Sequence, residues 1–367
     1  MLRVLNIVPA LNYCGGIENY AMAYYRHIDR EKVQFDFITH TDLSCSFQEE
    51  IEAMGGRIYK FPKFKIKNFI KLNKIITEFF CEHREYKIIH CHMANAAFMY
   101  FPIAMKYGIK VRIIHSHNTK YADKISHAIR NRFLVDVGLR FATHRIACTK
   151  KAGDFLFKKN DYEIIKNAID CENFAYKEKI RNKMRKMYGV EDRIVLGNIA
   201  RFVPQKNHIF MIEILRKLLC IDARYMLCFV GEGELLLRIK EAARDIKDHV
   251  LFVGVQQNVE DYYNMFDIFI LPSIYEGLGI VNIEAQCSGL PVMVSDAVPY
   301  DVKVTNLIEF LPLEKNIWVN KIVKHRKNGN ERTDHSKSVE LAGYDIKNES
   351  KKLMKMYERF IDKGAEA

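Results

Sequence analysis

Short apolar runs alternate with longer amphipathic stretches along the whole chain. In the first half these runs are LRVLNIV (2–8), VQFDFIT (33–39), YKIIHCH (86–92), VRIIHSH (111–117) and HRIACT (144–149). They are rich in β-branched and aromatic residues and stay apolar on consecutive positions, which predicts strands buried on both faces. The second half repeats the scheme with RIVLGNIA (193–200), YMLCFVG (225–231), VLFVG (250–254), DIFILPS (267–273) and PVMVS (291–295). Helical periodicity over 207–219 and 234–245 separates them. Strand–helix alternation at this spacing predicts an α/β chain with two doubly wound parallel-sheet domains in tandem. The first spans 1–168 and the second 169–345, with the join near Ile164–Phe174. Ligands of such folds bind beyond the carboxyl ends of the strands, so two tandem domains can present those ends across a cleft.

Length and composition agree with this picture. The chain has 367 residues, 49% of them hydrophobic and 28% charged, enough apolar surface for two cores. Met1-Leu2-Arg3-Val4 leads straight into the first strand, which is not the start of a secretory signal. No apolar run reaches the roughly 18 residues of a membrane span. Nine scattered cysteines without a CxxC pair argue against a disulfide framework or zinc ribbon and for a reducing cytosol.

The net charge of +12 is unevenly divided: 27 Lys and Arg face 16 Asp and Glu in residues 1–168, but 30 face 29 in residues 169–367. A basic first half attracts phosphorylated substrates, anionic lipid or nucleic acid. No nucleic-acid-binding module is recognisable, which leaves the first two.

Candidate chemistry sits just after the strands. Gly15-Gly16 follows the first strand and precedes a helix starting near Ile17, where backbone N–H groups are open to an anion. No GxGxxG stands there, which weakens a dinucleotide oxidoreductase reading. His90 and His92 end one strand, and His115 and His117 another. Four such histidines suggest a metal, but no Asp/Glu cluster completes a site of defined geometry, so no metal is expected. His115 is the best candidate for contact with a substrate hydroxyl or a developing charge. After RIVLGNIA come Arg201 and Lys206, a planar fork and a compact charge suited to a diphosphate.

The stretch YEGLGIVNIEAQCSGLPV (275–292) carries Glu276 and Glu284. On one helix they would lie roughly 80° apart around the axis and about 12 Å along it, beyond the roughly 5–9.5 Å of paired glycosidase carboxylates. An acid/base pair therefore gains no support. One carboxylate before a helix over 280–288, one inside it, and glycine-rich N–H groups between suit a long ligand with hydroxyls at two ends and a phosphate in the middle.

With these motifs the sequence resembles the nucleotide-sugar-dependent retaining glycosyltransferases of family 4. The likeness spans nearly the whole chain: the GG turn, His115, Arg201 and Lys206, VGEGEL (230–235), VLFVG, and above all LPSIYEGLGIVNIEAQCSGLPV. HSHNT and VTNLIEFLPLE narrow it to the enzymes of bacterial capsular and exopolysaccharide assembly. The resemblance implies a GT-B fold, two Rossmann-like domains facing across a cleft, with residues 346–367 a C-terminal helix returning to the first domain. It places Glu284 at the nucleotide ribose and Glu276 by the donor-sugar hydroxyls. Arg201 and Lys206 grip the diphosphate with N–H groups of Gly277, Leu278, Gly279 and Ile280, and Gly16 approaches from the other domain. His115 lies near the reacting sugar, and the loop beginning at Val255 touches the base. Same-face displacement, assisted by the leaving phosphate, needs no enzyme nucleophile, cofactor or metal. Leu278 stands where many relatives have Phe, SDAVPYDVKV where they have a GG-containing loop, and Lys166-Asn167-Ala168 where they have PNG; these departures bear on donor choice.

The expected function is retaining transfer from a nucleotide sugar, UDP-linked, to a growing lipid-linked surface glycan. The basic stretches Arg57–Ile76 and Lys120–Arg140 then suit docking at the anionic inner face of the cell membrane. A nucleotide-sugar 2-epimerase of the same fold and a non-catalytic sugar-nucleotide-binding subunit are the alternatives.

Overall fold

The apolar runs become strands. The computed structural model describes residues 1–13, 15–41, 45–122, 124–327 and 332–365. The chain divides into two compact units, Met1–Asn167 with Ile346–Ala367, and Ala168–Asp345.

In the first unit the strands are β1 (Leu2–Val8), β2 (Val33–Thr39), β3 (Ile58–Lys60), β4 (Ile88–Cys91), β5 (Val111–Ser116), β6 (His144–Ala147) and β7 (Glu163–Ile164). They form one sheet in the order β3-β2-β1-β4-β5-β6-β7, and every pairing is parallel. All seven residues of β2 are buried, as the unbroken apolar run requires of a strand covered on both faces. Even Asp36 on that strand is buried, held by Arg3 Nε at 2.7 Å and the Tyr86 hydroxyl at 2.8 Å. The terminal helix Ile346–Ala365 belongs to this unit. Glu349 on it accepts from the Lys166 backbone N–H at 2.9 Å, and Tyr357 and Phe360 are buried.

The second unit holds β8 (Ile194–Ile199), β9 (Tyr225–Val230), β10 (Val250–Gly254), β11 (Ile268–Leu271), β12 (Val292–Ser295) and β13 (Ile308–Leu311). They are parallel in the order β10-β9-β8-β11-β12-β13. Successive side chains point to opposite faces and feed two cores. Ile194, Leu196, Ile268 and Ile270 pack on one side; Val195, Phe269 and Leu271 pack on the other. Both sheets reverse strand order at their first strand, between β1 and β4 and between β8 and β11. Crevices for ligands open at such reversals, beyond the carboxyl ends of the strands.

Two glycines shape the loop after β8. In VGEGEL, a Cβ on Gly231 would come within 2.2 Å of the Ala200 carbonyl, and one on Gly233 within 2.7 Å of the Phe202 backbone. Their φ angles, +133° and +157°, also lie where side chains are strained. The turn therefore presses backbone to backbone, sealed by Phe202 N–H to Glu232 O at 2.8 Å and Leu235 N–H to Phe202 O at 3.0 Å. That brace fixes the segment from which Arg201 and Lys206 project.

Candidate functional site

In the second unit, Arg201 and Lys206 follow β8 and Glu276 follows its neighbour β11, while Val255 follows β10, two strands from β8. Backbone and side chain stitch the β8 and β11 loops together: Ile274 N–H donates to Gln205 O at 2.9 Å, and Gln205 Nε2 to Tyr275 O at 2.8 Å. Lys206 Nζ then meets Glu276 Oε1 at 2.6 Å, with only 15% of the lysine side chain and 6% of the glutamate side chain exposed. The Ser273 hydroxyl donates to the same oxygen at 2.6 Å, and Gln205 Nε2 approaches Oε2 at 3.3 Å. Ser273 is fully buried and its carbonyl accepts from the Ser295 hydroxyl. Glu276 is thus held in one orientation by three partners. Arg201 is exposed and its guanidinium takes no partner among the described residues. The arginine is free to clamp an anion; the lysine is shared with a carboxylate.

Glu276 lies in the loop, outside any helix. The helix after it is Val281–Cys287, shorter at each end than the sequence suggests. Gly279 adopts φ +78°, and its carbonyl accepts from Asn282 N–H and from Asn282 Nδ2, both at 3.0 Å. Leu278 is buried in the core at 4% exposure, so its side chain anchors the glycine loop from below. Glu284, inside the helix, accepts from the Tyr263 hydroxyl at 2.6 Å. Burial pushes its pKa up to about 7, against the stabilising hydrogen bond from Tyr263, with nearby Glu260 adding to the rise. The two glutamates take separate partners and work apart. Val255 is partly buried just after Gly254, whose φ of +80° ends β10.

The first unit carries Gly16 and His115. Gly16 opens the helix Gly16–His27, and a Cβ there would meet nothing within 4 Å. A Cβ on Gly15 would collide with the Glu18 carboxylate, so this chain's own acid already lies against the turn. His115 is buried on β5, and its neighbours are the other three histidines. His90 Nε2 meets His115 Nδ1 at 3.0 Å, and His92 Nδ1 meets His117 Nε2 at 3.0 Å. His90 stacks on His92 with centroids 4.2 Å apart, and His115 on His117 at 4.0 Å. Burial drives the pKa of His90 and His117 down to about 3 and holds His92 and His115 well below the usual range, with repulsion from neighbouring rings adding in all but His117. All four rings are neutral. Of the four, only His117, one residue past the strand end, keeps part of its surface open.

Donor atoms of His90, His92 and His115 lie within 4.8 Å of one another, the one such group among the described residues. A chelate needs lone pairs converging on an ion about 2.0–2.1 Å away. Here parallel rings form two stacks and nitrogen faces nitrogen, the geometry of hydrogen bonds.

This arrangement of sheets and loops has recognisable relatives. Residues 180–308 match the family described as glycosyl transferases group 1, and residues 14–173 match glycosyltransferase family 4. The glycosyltransferase EpsF of Bacillus subtilis strain 168 is 31% identical over 369 aligned positions, covering 97% of this chain and 96% of its own. The chain belongs to the family 4 glycosyltransferases. An Escherichia coli UDP-Gal:α-D-GlcNAc-diphosphoundecaprenol α-1,3-galactosyltransferase is 24% identical to it over 267 residues, 68% of this chain and 67% of that one. Anabaena Alr3699/HepE, solved in complex with UDP-glucose, superposes on this glycosyltransferase with a TM-score of 0.80 at 16% identity, over 98% of this chain and 100% of that one. The two Rossmann-like units are those of the GT-B fold.

Sequence reasoning missed the supports of this site. Tyr263 behind Glu284, Gln205 beside Glu276, and Tyr357 against His90 (2.7 Å) lie on other elements, where no motif spacing points to them, whereas Ser273, three residues before Glu276, stands within the motif and showed no role there.

Proposed function

We propose that this glycosyltransferase moves a sugar from a UDP-sugar to a growing, lipid-linked cell-surface glycan with retention of configuration. The observation that carries the proposal is the β8–β11 loop pair, where a free Arg201, a Lys206–Glu276 pair and a glycine loop meet at the strand-order reversal. Arg201 and Lys206 hold the diphosphate, and N–H groups of Gly277–Ile280 add to their field. Glu276 takes donor-sugar hydroxyls when the diphosphate draws Lys206 away. Glu284 takes the ribose hydroxyls and the Val255 loop takes the base; on the first unit, Gly16 offers a helix N-terminus to an anion and His115 a contact for a hydroxyl. As the glycosidic bond breaks, charge builds on the leaving diphosphate. Two cations and the loop N–H groups stabilise that charge without an ion or cofactor. The leaving phosphate oxygen accepts the acceptor's proton on the face it departs from, which gives retention.

UDP and a diphosphoundecaprenol-linked acceptor are suggested by the E. coli galactosyltransferase, and a surface polymer by EpsF and by a Salmonella typhi Vi polysaccharide biosynthesis protein, 26% identical over 166 residues. The first unit suits work at a membrane surface. Ile125, Ile129 and Phe133 are 80%, 68% and 68% exposed, one helical stripe at i, i+4 and i+8 on Ile125–Phe141. Lys124, Arg130 and Arg132 flank it, all exposed. No helix among the described residues is long and apolar enough to cross a membrane, so contact would be peripheral.

Calorimetry with UDP tests the assignment of roles. Glu284→Ala is expected to weaken UDP binding about tenfold or more, whereas His115→Ala slows turnover and leaves UDP affinity intact. Full UDP affinity in Glu284→Ala would contradict the ribose role.

A further inference from the structure

The four buried histidines form two hydrogen-bonded chains, and each chain has a fixed direction. A neutral imidazole carries one N–H and one lone pair, so a partner on one nitrogen decides what the other offers. All four rings are neutral, as described above. Tyr357 anchors the first chain, with its hydroxyl 2.7 Å from His90 Nδ1. That hydroxyl is buried and finds no other acceptor among the described residues, so it donates to Nδ1; a buried O–H without an acceptor is costlier than a spare lone pair. The His90 proton is then on Nε2, and it is given to His115 Nδ1 at 3.0 Å. His115 in turn carries its proton on Nε2. This nitrogen is buried without a partner among the described residues, on a ring only 1% exposed.

The second chain runs the other way. Asn6 Nδ2 donates to Val4 O at 3.4 Å, which turns Oδ1 towards His92 Nε2 at 3.2 Å. His92 therefore carries its proton on Nε2, and its Nδ1 accepts from His117 Nε2 at 3.0 Å. His117 Nδ1 is left as a bare lone pair on a residue that is itself partly exposed. Since His90 stacks on His92 and His115 on His117, both unengaged nitrogens lie on the side away from the His90–His92 stack. Tyr20 stands edge-on to both outer rings, with centroids at 5.2 and 5.0 Å.

We propose that Tyr357 and Asn6 are positioning residues that set His115 to donate and His117 to accept, so that the two rings together hold one sugar hydroxyl. A hydroxyl can take a hydrogen bond from His115 Nε2 and give one to His117 Nδ1. The substituted diphosphate of a nucleotide sugar has no proton for the second bond at neutral pH, and the neutral rings offer it no charge. The cluster is accordingly a hydroxyl reader, distinct in chemistry from the cationic site on the second unit. Assigning that hydroxyl to a sugar rests on the transferase reading above.

The test is a long-range 1H–15N spectrum of the full chain labelled with 15N-histidine. His90, His92, His115 and His117 should all be protonated on Nε2 and bare on Nδ1. Tyr357→Phe removes only the hydroxyl, so His90 and His115 should become mixtures of both tautomers while UDP affinity stays constant. Turnover should fall about tenfold. A raised KM for the nucleotide sugar in that variant assigns the hydroxyl to the donor, and a raised KM for the acceptor assigns it to the acceptor. Asn6→Leu should shift His92 and His117 and spare His90 and His115, which keeps the proposal testable if Tyr357→Phe misfolds. A wild-type His115 protonated on Nδ1 would overturn it, as would Tyr357→Phe with unchanged tautomers and kinetics. Should no sugar nucleotide give transfer, the proposed function fails, while the tautomer pattern still decides the positioning role.

Discussion

Glu284 shows what a single buried carboxylate costs and what it offers. An unfolded glutamate ionises near 4.5, and folding raises Glu284 to about 7. Between those values the folded unit holds a proton that the unfolded chain has lost, so its stability declines as pH climbs through about 7. Glu284→Gln, which stays neutral and keeps an oxygen for Tyr263, should raise the melting temperature of the nucleotide-free protein by roughly 2–4 °C at pH 8. The gain should vanish at pH 5, where the carboxyl is protonated in the fold anyway. UDP binding should strengthen severalfold from about pH 6 to about pH 8 in the wild type, as the carboxylate forms, and stay flat in Glu284→Gln. Melting curves and calorimetry at those pH values measure both. This residue was visible in the sequence from its place in YEGLGIVNIEAQCSGLPV. Its partner Tyr263 was not, because a hydroxyl 21 residues upstream is brought to it by helix packing, which no local pattern encodes. The same holds for Tyr357 and His90, 267 residues apart.

Among the elements, long apolar runs were legible and short edges were not. Ten runs read from the sequence correspond to β1, β2, β4, β5, β6 and β8–β12. The missing strands, β3 with three residues, β7 with two and β13, lie toward sheet edges, where one neighbour and partial burial demand less hydrophobicity. The stretch 234–245, read as one helix, is a helix over Leu236–Ala242 followed by 3₁₀ turns from Arg244. The helix Ile125–Phe141 carries the membrane prediction. Its exposed Ile125, Ile129 and Phe133 can enter the lipid interface while flanking lysines and arginines meet anionic headgroups. The protein should sediment with phosphatidylglycerol vesicles and not with phosphatidylcholine vesicles, less so as salt rises. Replacing the three stripe residues by serine should weaken that binding at least tenfold without unfolding the helix, since all three already face solvent. Equal indifference to both vesicle types would remove the membrane role.

For the whole molecule, the sequence carried the architecture and the family. Consecutive apolar positions in regular alternation with helices admit only parallel sheets covered on both faces, and the structure has two, of seven and six strands. The spacing of Glu276 and Glu284 lent no support to an acid/base pair, and the structure separates them into a loop bound to Lys206 and a helix bound to Tyr263. Four histidines on two strand ends were visible too. Their neutrality and direction became legible only with the ring geometry, because spacing says which face a side chain takes and nothing about which nitrogen bears a proton.

The central claim is that one cationic loop pair and two separate carboxylates carry a sugar from UDP to a lipid-linked acceptor with retention. Incubation with a panel of nucleotide sugars, with and without a diphosphoundecaprenol-linked sugar, followed by NMR of the products, tests it most directly. The expected result is transfer that requires the acceptor and yields a linkage with the donor's anomeric configuration. An inverted linkage, an altered free sugar made without acceptor, or nucleotide binding with no turnover would contradict it.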